Sequence, residues 1–137
     1  MGTRSTVQIL DESGATLVSL YIQYDGYPDG VGRQIASTFD GAQLVNGFSP
    51  GSPTHQVNGM GDAAVRAVVA LKLWGPEGKD WNKPGNIYIE KEPGAQEYNY
   101  KLFPKGSELH LSVEGYGETF SGSCSSYLKW LEAQRAE

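Results

Sequence analysis

The residues most able to do chemistry in this chain are two histidines, one cysteine and two glycine-bearing turns, and the surroundings of each restrict what it can do. His55 and His110 stand alone, without a second His or Cys at the spacing that a metal site of the usual nitrogen and sulfur type requires. Gly59-Met60-Gly61-Asp62-Ala63-Ala64 has the outline of a dinucleotide fingerprint. It follows a loop instead of a strand, however, and Asp62 puts a negative charge where pyrophosphate would sit. Gly78-Lys79-Asp80 lacks the preceding glycine, strand and following helix of a phosphate loop. Cys124, between Ser123 and Ser125 at the start of a helix, reads as a small buried apolar side chain and not as a reactive thiolate. The 16 carboxylates show no acid and base couple by spacing. The expectation is therefore a protein without a catalytic residue, a metal or a cofactor.

Planar groups are what the chain supplies in quantity. Tyr24, Tyr27, Trp74, Trp81, Tyr88, Tyr98 and Tyr100 offer stacking faces, with Arg33, Arg66, Asn99 and Lys101 as polar companions. Bases bind by stacking and edge hydrogen bonds, and phosphates by guanidinium groups and backbone amides. The same tyrosines and Trp74 serve equally well as core or sheet packing, and both readings stand at this point for Tyr98, Tyr100 and Trp74. On this chemistry the expected ligand-binding residues are Tyr24, Asp25, Tyr27, Arg33, Arg66, Tyr88 and Asn99. Arg66 has a second possible role, pairing with Asp62 one helical turn earlier, and Arg33 or Lys101 is then the substitute cation.

The run Tyr24-Asp25-Gly26-Tyr27-Pro28-Asp29-Gly30-Val31-Gly32 must position several of these side chains. Three glycines and a proline suit neither a strand nor a helix interior, so the run is expected to form a shaped corner. Pro28 fixes its own φ and keeps Tyr27 out of the helical region, and Gly26 and Gly30 are expected where a side chain is poorly tolerated.

Around the corner, alternation over residues 3–10 and 17–24 predicts a hairpin turning at Asp11-Glu12-Ser13-Gly14, with Val18, Leu20, Ile22 and Tyr24 on one face. Val31, Ile35, Ala36 and Phe39 recur at helical spacing, with Asp29 or Gly30 as cap and Asp40-Gly41 as the stop. Residues 43–61 lose all periodicity and read as one long loop, marked by Pro50, Gly51, Pro53, Asn58, Gly59 and Gly61. Asp62 then opens a helix over residues 63–74 that is apolar nearly all the way round, stopped by Gly75-Pro76-Glu77-Gly78. Such a helix implies burial against a second copy, so a homo-oligomer is expected. Strands over 86–90, 96–103 and 108–115 are expected to form a meander joined at Pro93-Gly94 and Lys105-Gly106, after a turn-rich stretch that ends at Pro84-Gly85. A short strand over 118–121 precedes a C-terminal helix capped by Ser123 or Ser125, with Tyr127, Trp130 and Leu131 as its apolar stripe. The fold class is α+β: a mainly antiparallel sheet with an N-terminal hairpin, a meander and about three packed helices, in a single domain spanning residues 1–137.

Bulk properties narrow the partners. The chain has 137 residues, 39% hydrophobic and 20% charged, which suits a soluble domain able to bury its own core. A net charge of −5 argues against long nucleic acid and anionic membrane, though a local pocket for a small anion is compatible with it. The lone cysteine forbids an internal disulfide and suggests a reducing, cytoplasmic compartment. Residues 1–5 lead directly into an alternating segment, so no signal peptide is expected, and no run approaches the roughly 18 apolar residues of a membrane span.

The opening Met1-Gly2-Thr3-Arg4-Ser5-Thr6, followed by Tyr21-Ile22-Gln23-Tyr24-Asp25-Gly26-Tyr27-Pro28 and Gly30-Val31-Gly32, resembles small phage and prophage proteins that begin with GTRS and carry this corner. Gly85-Asn86-Ile87-Tyr88-Ile89 and Gln96-Glu97-Tyr98-Asn99-Tyr100 resemble the strand pattern of the same group, so the likeness covers the N-terminal third well and the rest loosely. It extends to the first-described type of phage anti-Thoeris sponge. That kinship implies an immune-evasion protein of the infected host's cytoplasm, one that sequesters a nucleotide signal, such as a cyclic ADP-ribose isomer or a cyclic oligonucleotide, without degrading it. The alternatives are a phage structural or protein-interaction module and a nucleotide hydrolase.

Overall fold

The computed structural model describes residues 2–47, 50–51, 55–74 and 86–135. Alternation makes the first two strands, β1 (Ser5–Leu10) and β2 (Thr16–Ile22), an antiparallel hairpin. Its turn is organised by Asp11, whose Oδ1 accepts the backbone N–H groups of Ser13 at 2.8 Å and Ala15 at 3.0 Å. The strand stops at Ile22, so Tyr24 does not share the core face with Val18, Leu20 and Ile22 as the alternation suggested; Asn86 accepts the Tyr24 N–H on its Oδ1 at 2.9 Å and leads the chain into the corner.

A π-helical turn, Pro28–Gly32, runs directly into α1 (Arg33–Thr38). Val31, Ile35, Ala36 and Phe39 are buried as expected. The cap is not: Tyr27 occupies the N-cap position without a side-chain bond, and Asp29 lies inside the first turn, where it pairs with Arg33 and Arg135. The expected loop that follows contains two three-residue strands, β3 (Gln43–Val45) and β4 (Gln56–Asn58), paired in parallel. The next helix, α2 (Gly59–Trp74), begins four residues before the expected start at residue 63. A carboxylate from the distant hairpin turn explains the early start, since Glu12 accepts the Met60 N–H at 2.8 Å and satisfies a first-turn donor. The predicted breaks at Pro53, at residues 75–78 and at residues 84–85, with Trp81, lie outside the described residues.

The remaining elements are β5 (Ile87–Glu90), β6 (Tyr98–Lys105), β7 (Glu108–Gly115), β8 (Glu118–Ser123) and α3 (Cys124–Arg135). Ser123 caps α3 by accepting the Ser126 N–H at 3.1 Å. The class is α+β, as expected. One sheet has the order β5-β2-β1-β6-β7-β8, antiparallel throughout except for the central β1–β6 pair. This corrects the meander. β6, β7 and β8 form one, but Pro93-Gly94 is not a hairpin turn. β5 pairs with β2 at the sheet's edge, and residues 91–97 cross from that edge to β6 at the centre.

The three helices among the described residues occupy one side of the sheet. Val7, Ile9, Leu20, Ile22, Tyr100, Leu102, Leu111 and Val113 face them and are essentially inaccessible, together with Ile35, Met60, Ala63, Ala67, Tyr127 and Leu131 from the helices. Tyr98 and Tyr100 therefore belong to the core. Among the described residues, the opposite sheet face carries no helix.

Candidate functional site

Pairing registers arrange the outward side chains of that bare face into rows. Across all six strands runs Tyr88, Tyr21, Thr6, Asn99, Glu114 and Thr119; beside it runs Glu90, Ser19, Gln8, Lys101, Ser112 and Ser121. Strands lie about 4.8 Å apart, so each row is a ladder of side chains at hydrogen-bonding reach of one ligand. Where the rows cross β1, β6, β7 and β8 they line a groove of about 430 Å³, walled by Pro93, Gly94 and Ala95 of the crossing segment. Its polar lining is Thr6, Gln8, Asn99, Lys101, Ser112, Glu114, Thr119 and Ser121. Lys101 is exposed and makes no ion pair among the described residues.

Asn99 is positioned rigidly. Its Oδ1 accepts the Thr6 hydroxyl at 2.9 Å and the Gln96 N–H at 3.1 Å, while its Nδ2 donates to the Gln96 carbonyl at 3.0 Å. Those bonds tie the crossing segment to β1 and β6, so Asn99 shapes the groove wall more than it offers free hydrogen bonds. Tyr88 shares the row of Asn99 but lies three strands away, stacked on Tyr21 with ring centroids 6.1 Å apart, and it does not line the groove.

Tyr24, Asp25, Tyr27 and Arg33 meet at the corner instead. Asp25 carries a left-handed φ of +60°, a conformation Asp tolerates better than most residues. Gly26 is needed for close approach: a Cβ there would lie 2.7 Å from the Ser5 Cβ. Two buried tyrosines hold the corner from the core side. Tyr100 donates its hydroxyl to the Gly26 carbonyl at 2.7 Å, and Tyr127 donates to the Pro28 carbonyl at 2.8 Å. Burial pushes both phenols well above their ordinary pKa. On the outer side, Tyr24 and Tyr27 are exposed by 44% and 42%, enough to leave their rings open to a partner. Tyr27 donates to Asp25 at 3.3 Å, and the Asp25 charge raises its pKa.

Both expected phosphate donors are occupied. Arg33 bonds to Asp29 and, at 3.2 Å, to Glu132; the bond from Arg33, and then Arg135, hold the Asp29 carboxyl below the usual carboxylate range. Arg66 pairs with Asp62 at 2.9 Å and approaches His55 at 3.4 Å. The structure thus selects the intrachain pairing of Arg66 over a free guanidinium. The seven expected residues do not converge: four stand at the corner, Arg66 on α2, Tyr88 on the edge strand and Asn99 on the bare face.

Thr6, Gln8, Ser112, Thr119 and Ser121 were not singled out by sequence reasoning. Their signal was present in strand alternation, but alternation cannot say which strands lie side by side. As for catalytic chemistry, burial pushes the Cys124 thiol up to about 12, so it is protonated at neutral pH. Among the described residues no group of three or more His, Cys, Asp or Glu is arranged to hold a metal ion, and no helix is long and apolar enough to cross a membrane. Compared with family models, with curated proteins and with solved structures, the chain matches none.

Proposed function

We propose that this protein captures a small phosphate-bearing nucleotide, of the cyclic ADP-ribose or cyclic oligonucleotide kind, in the bare-face groove and holds it chemically unchanged. The observation that carries this reading is the convergence of two cross-strand rows of hydrogen-bonding side chains on one unpaired cation, Lys101. The Lys101 ammonium attracts the anion, and Gln8, Ser112 and Ser121 in the same row meet ribose or phosphate oxygens, while the Glu114 carboxylate of the neighbouring row directs the phosphate to the Lys101 side of the groove.

The test is to incubate the purified protein with candidate cyclic nucleotides, remove unbound ligand, denature the protein and analyse what is released by mass spectrometry. Intact nucleotide in stoichiometric amount is the expected result. Release of an altered product would favour the hydrolase, and no retention would end the nucleotide reading.

A further inference from the structure

Between the corner and the C-terminal end of α3 lies a pocket of about 280 Å³ that shares no lining residue with the bare-face groove. Pro28 and Leu131 give it an apolar wall, Tyr27 and Tyr98 supply two aromatic rings, and Glu118 and Arg135 bring charge to it. A glycine lets Glu118 reach this place. Gly115 pairs with Glu118 across the β7–β8 ladder, and a Cβ on it would lie 2.6 Å from the Tyr98 ring. With no side chain between them, the Glu118 carboxylate meets Tyr98, whose pKa is raised first by burial and then by the Glu118 charge. The Glu118 Oε2 is buried and has no hydrogen-bond partner among the described residues. A carboxylate oxygen left in that condition is costly, and it calls for a donor from outside.

The cation already in the lining does not supply that donor. Arg135 bonds to Asp29 at 2.9 Å and approaches Glu132 at 3.7 Å, and Arg33 bonds to the same two carboxylates. Two guanidinium groups and two carboxylates neutralise one another there, so Glu118 is the charge left over. We infer that the pocket binds a small organic ammonium ion, whose N–H groups donate to the Glu118 carboxylate while its alkyl part lies against Pro28 and Leu131. Glu118 as a whole is only half-buried, and its terminal torsion is soft, so turning the carboxylate presents the unpartnered oxygen to the guest. The Tyr27 and Tyr98 rings add cation–π attraction, which a neutral or anionic molecule of the same shape would not gain. Volume sets the size: the pocket is smaller than those that hold drug-sized ligands, and a short chain fills it.

The inference goes beyond nucleotide capture and does not depend on it. Butylammonium is the probe, titrated into the whole chain and followed by the backbone amide shifts of Tyr98, Glu118 and Leu131, with butanol and butyrate as neutral and anionic molecules of similar shape. Saturable shifts are expected for butylammonium alone, with a dissociation constant of about 1–10 mM, a strength within reach of so small a ligand. Glu118→Gln, a neutral isostere, should weaken binding about ten-fold or more. Glu114→Gln, on the other face of the same hairpin, should leave it unchanged. Absence of saturation with butylammonium would overturn the inference. So would an equal response to butanol, which would make the site an apolar pocket with water on Glu118, or an equal loss in both variants, which would reduce the effect to general surface charge. The comparison of the three probes on the wild-type protein decides the matter even if Glu118→Gln fails to fold.

Discussion

Replacing Tyr100 by Phe removes one oxygen from the centre of the molecule and should cost more than the same change at Tyr127. The Tyr100 hydroxyl is the only donor to the Gly26 carbonyl among the described residues, and both groups are buried. The Pro28 carbonyl, in contrast, accepts the Arg33 backbone N–H as well as the Tyr127 hydroxyl. Tyr100→Phe therefore strands a buried acceptor, a loss of about 1–3 kcal/mol, whereas Tyr127→Phe removes one of two donors and should cost about 0.5–1.5 kcal/mol. For a chain of this length each kcal/mol lowers Tm by roughly 3–4 °C. Urea denaturation of both variants, with the m-value checked for constancy, gives the comparison directly. The reasoning fails if Tyr100→Phe costs less than about 0.5 kcal/mol, or if Tyr127→Phe proves the more damaging of the two.

Two further outcomes follow from the charges. If Lys101 is the ligand's cation, Lys101→Gln should weaken nucleotide binding by about 1.5–3 kcal/mol in calorimetry, while Arg66→Ala, already engaged with Asp62, should leave affinity unchanged; the reverse pattern would move the phosphate to α2. The Asp29 carboxyl is depressed first by its bond from Arg33 and then by Arg135, so its stabilising contribution is complete above the ordinary value of 3.8 and is lost as pH falls through the lowered one. With that side chain 41% exposed, screening limits the contribution to less than about 1 kcal/mol. The Tm gap between wild type and Asp29→Asn should be present at pH 7 and close toward pH 2, and a gap that persists in acid would contradict this assignment.

Local patterns were legible and long-range ones were not. The hairpin, β6, β7 and α3 are written in alternation or in 3.6-residue spacing, and the Arg66–Asp62 pair in a four-residue offset. The early start of α2 depends on Glu12, 48 positions away, and no window of sequence holds both. Ile87 and Ile89 announce a strand without naming β2 as its neighbour, and so the crossing of residues 91–97 went unseen. The candidate groove suffered most from this gap, because Gln8, Lys101, Ser112 and Ser121 become one row only through three pairings among four strands. The all-round apolar look of α2 divides in the fold: Leu71 belongs to the chain's own core, whereas Val65, Val69 and Leu73 stay exposed.

The parallel seam between β1 and β6 sets an order of events during synthesis. Thr6 and Asn99, clasped across that seam, are 93 positions apart. At about 5–20 residues per second, a ribosome needs several seconds to make the second strand after the first. Throughout that interval the N-terminal hairpin has β1 as an open edge, with Val7 and Ile9 uncovered and no sheet to join. Thr6 and Gln8 on its other face then act as solubilising groups for a nascent chain before they become part of a groove. A truncation ending before residue 98 should accordingly emerge as an aggregating fragment, with no smaller folded unit to fall back on, because the seam and the crossing segment arrive together.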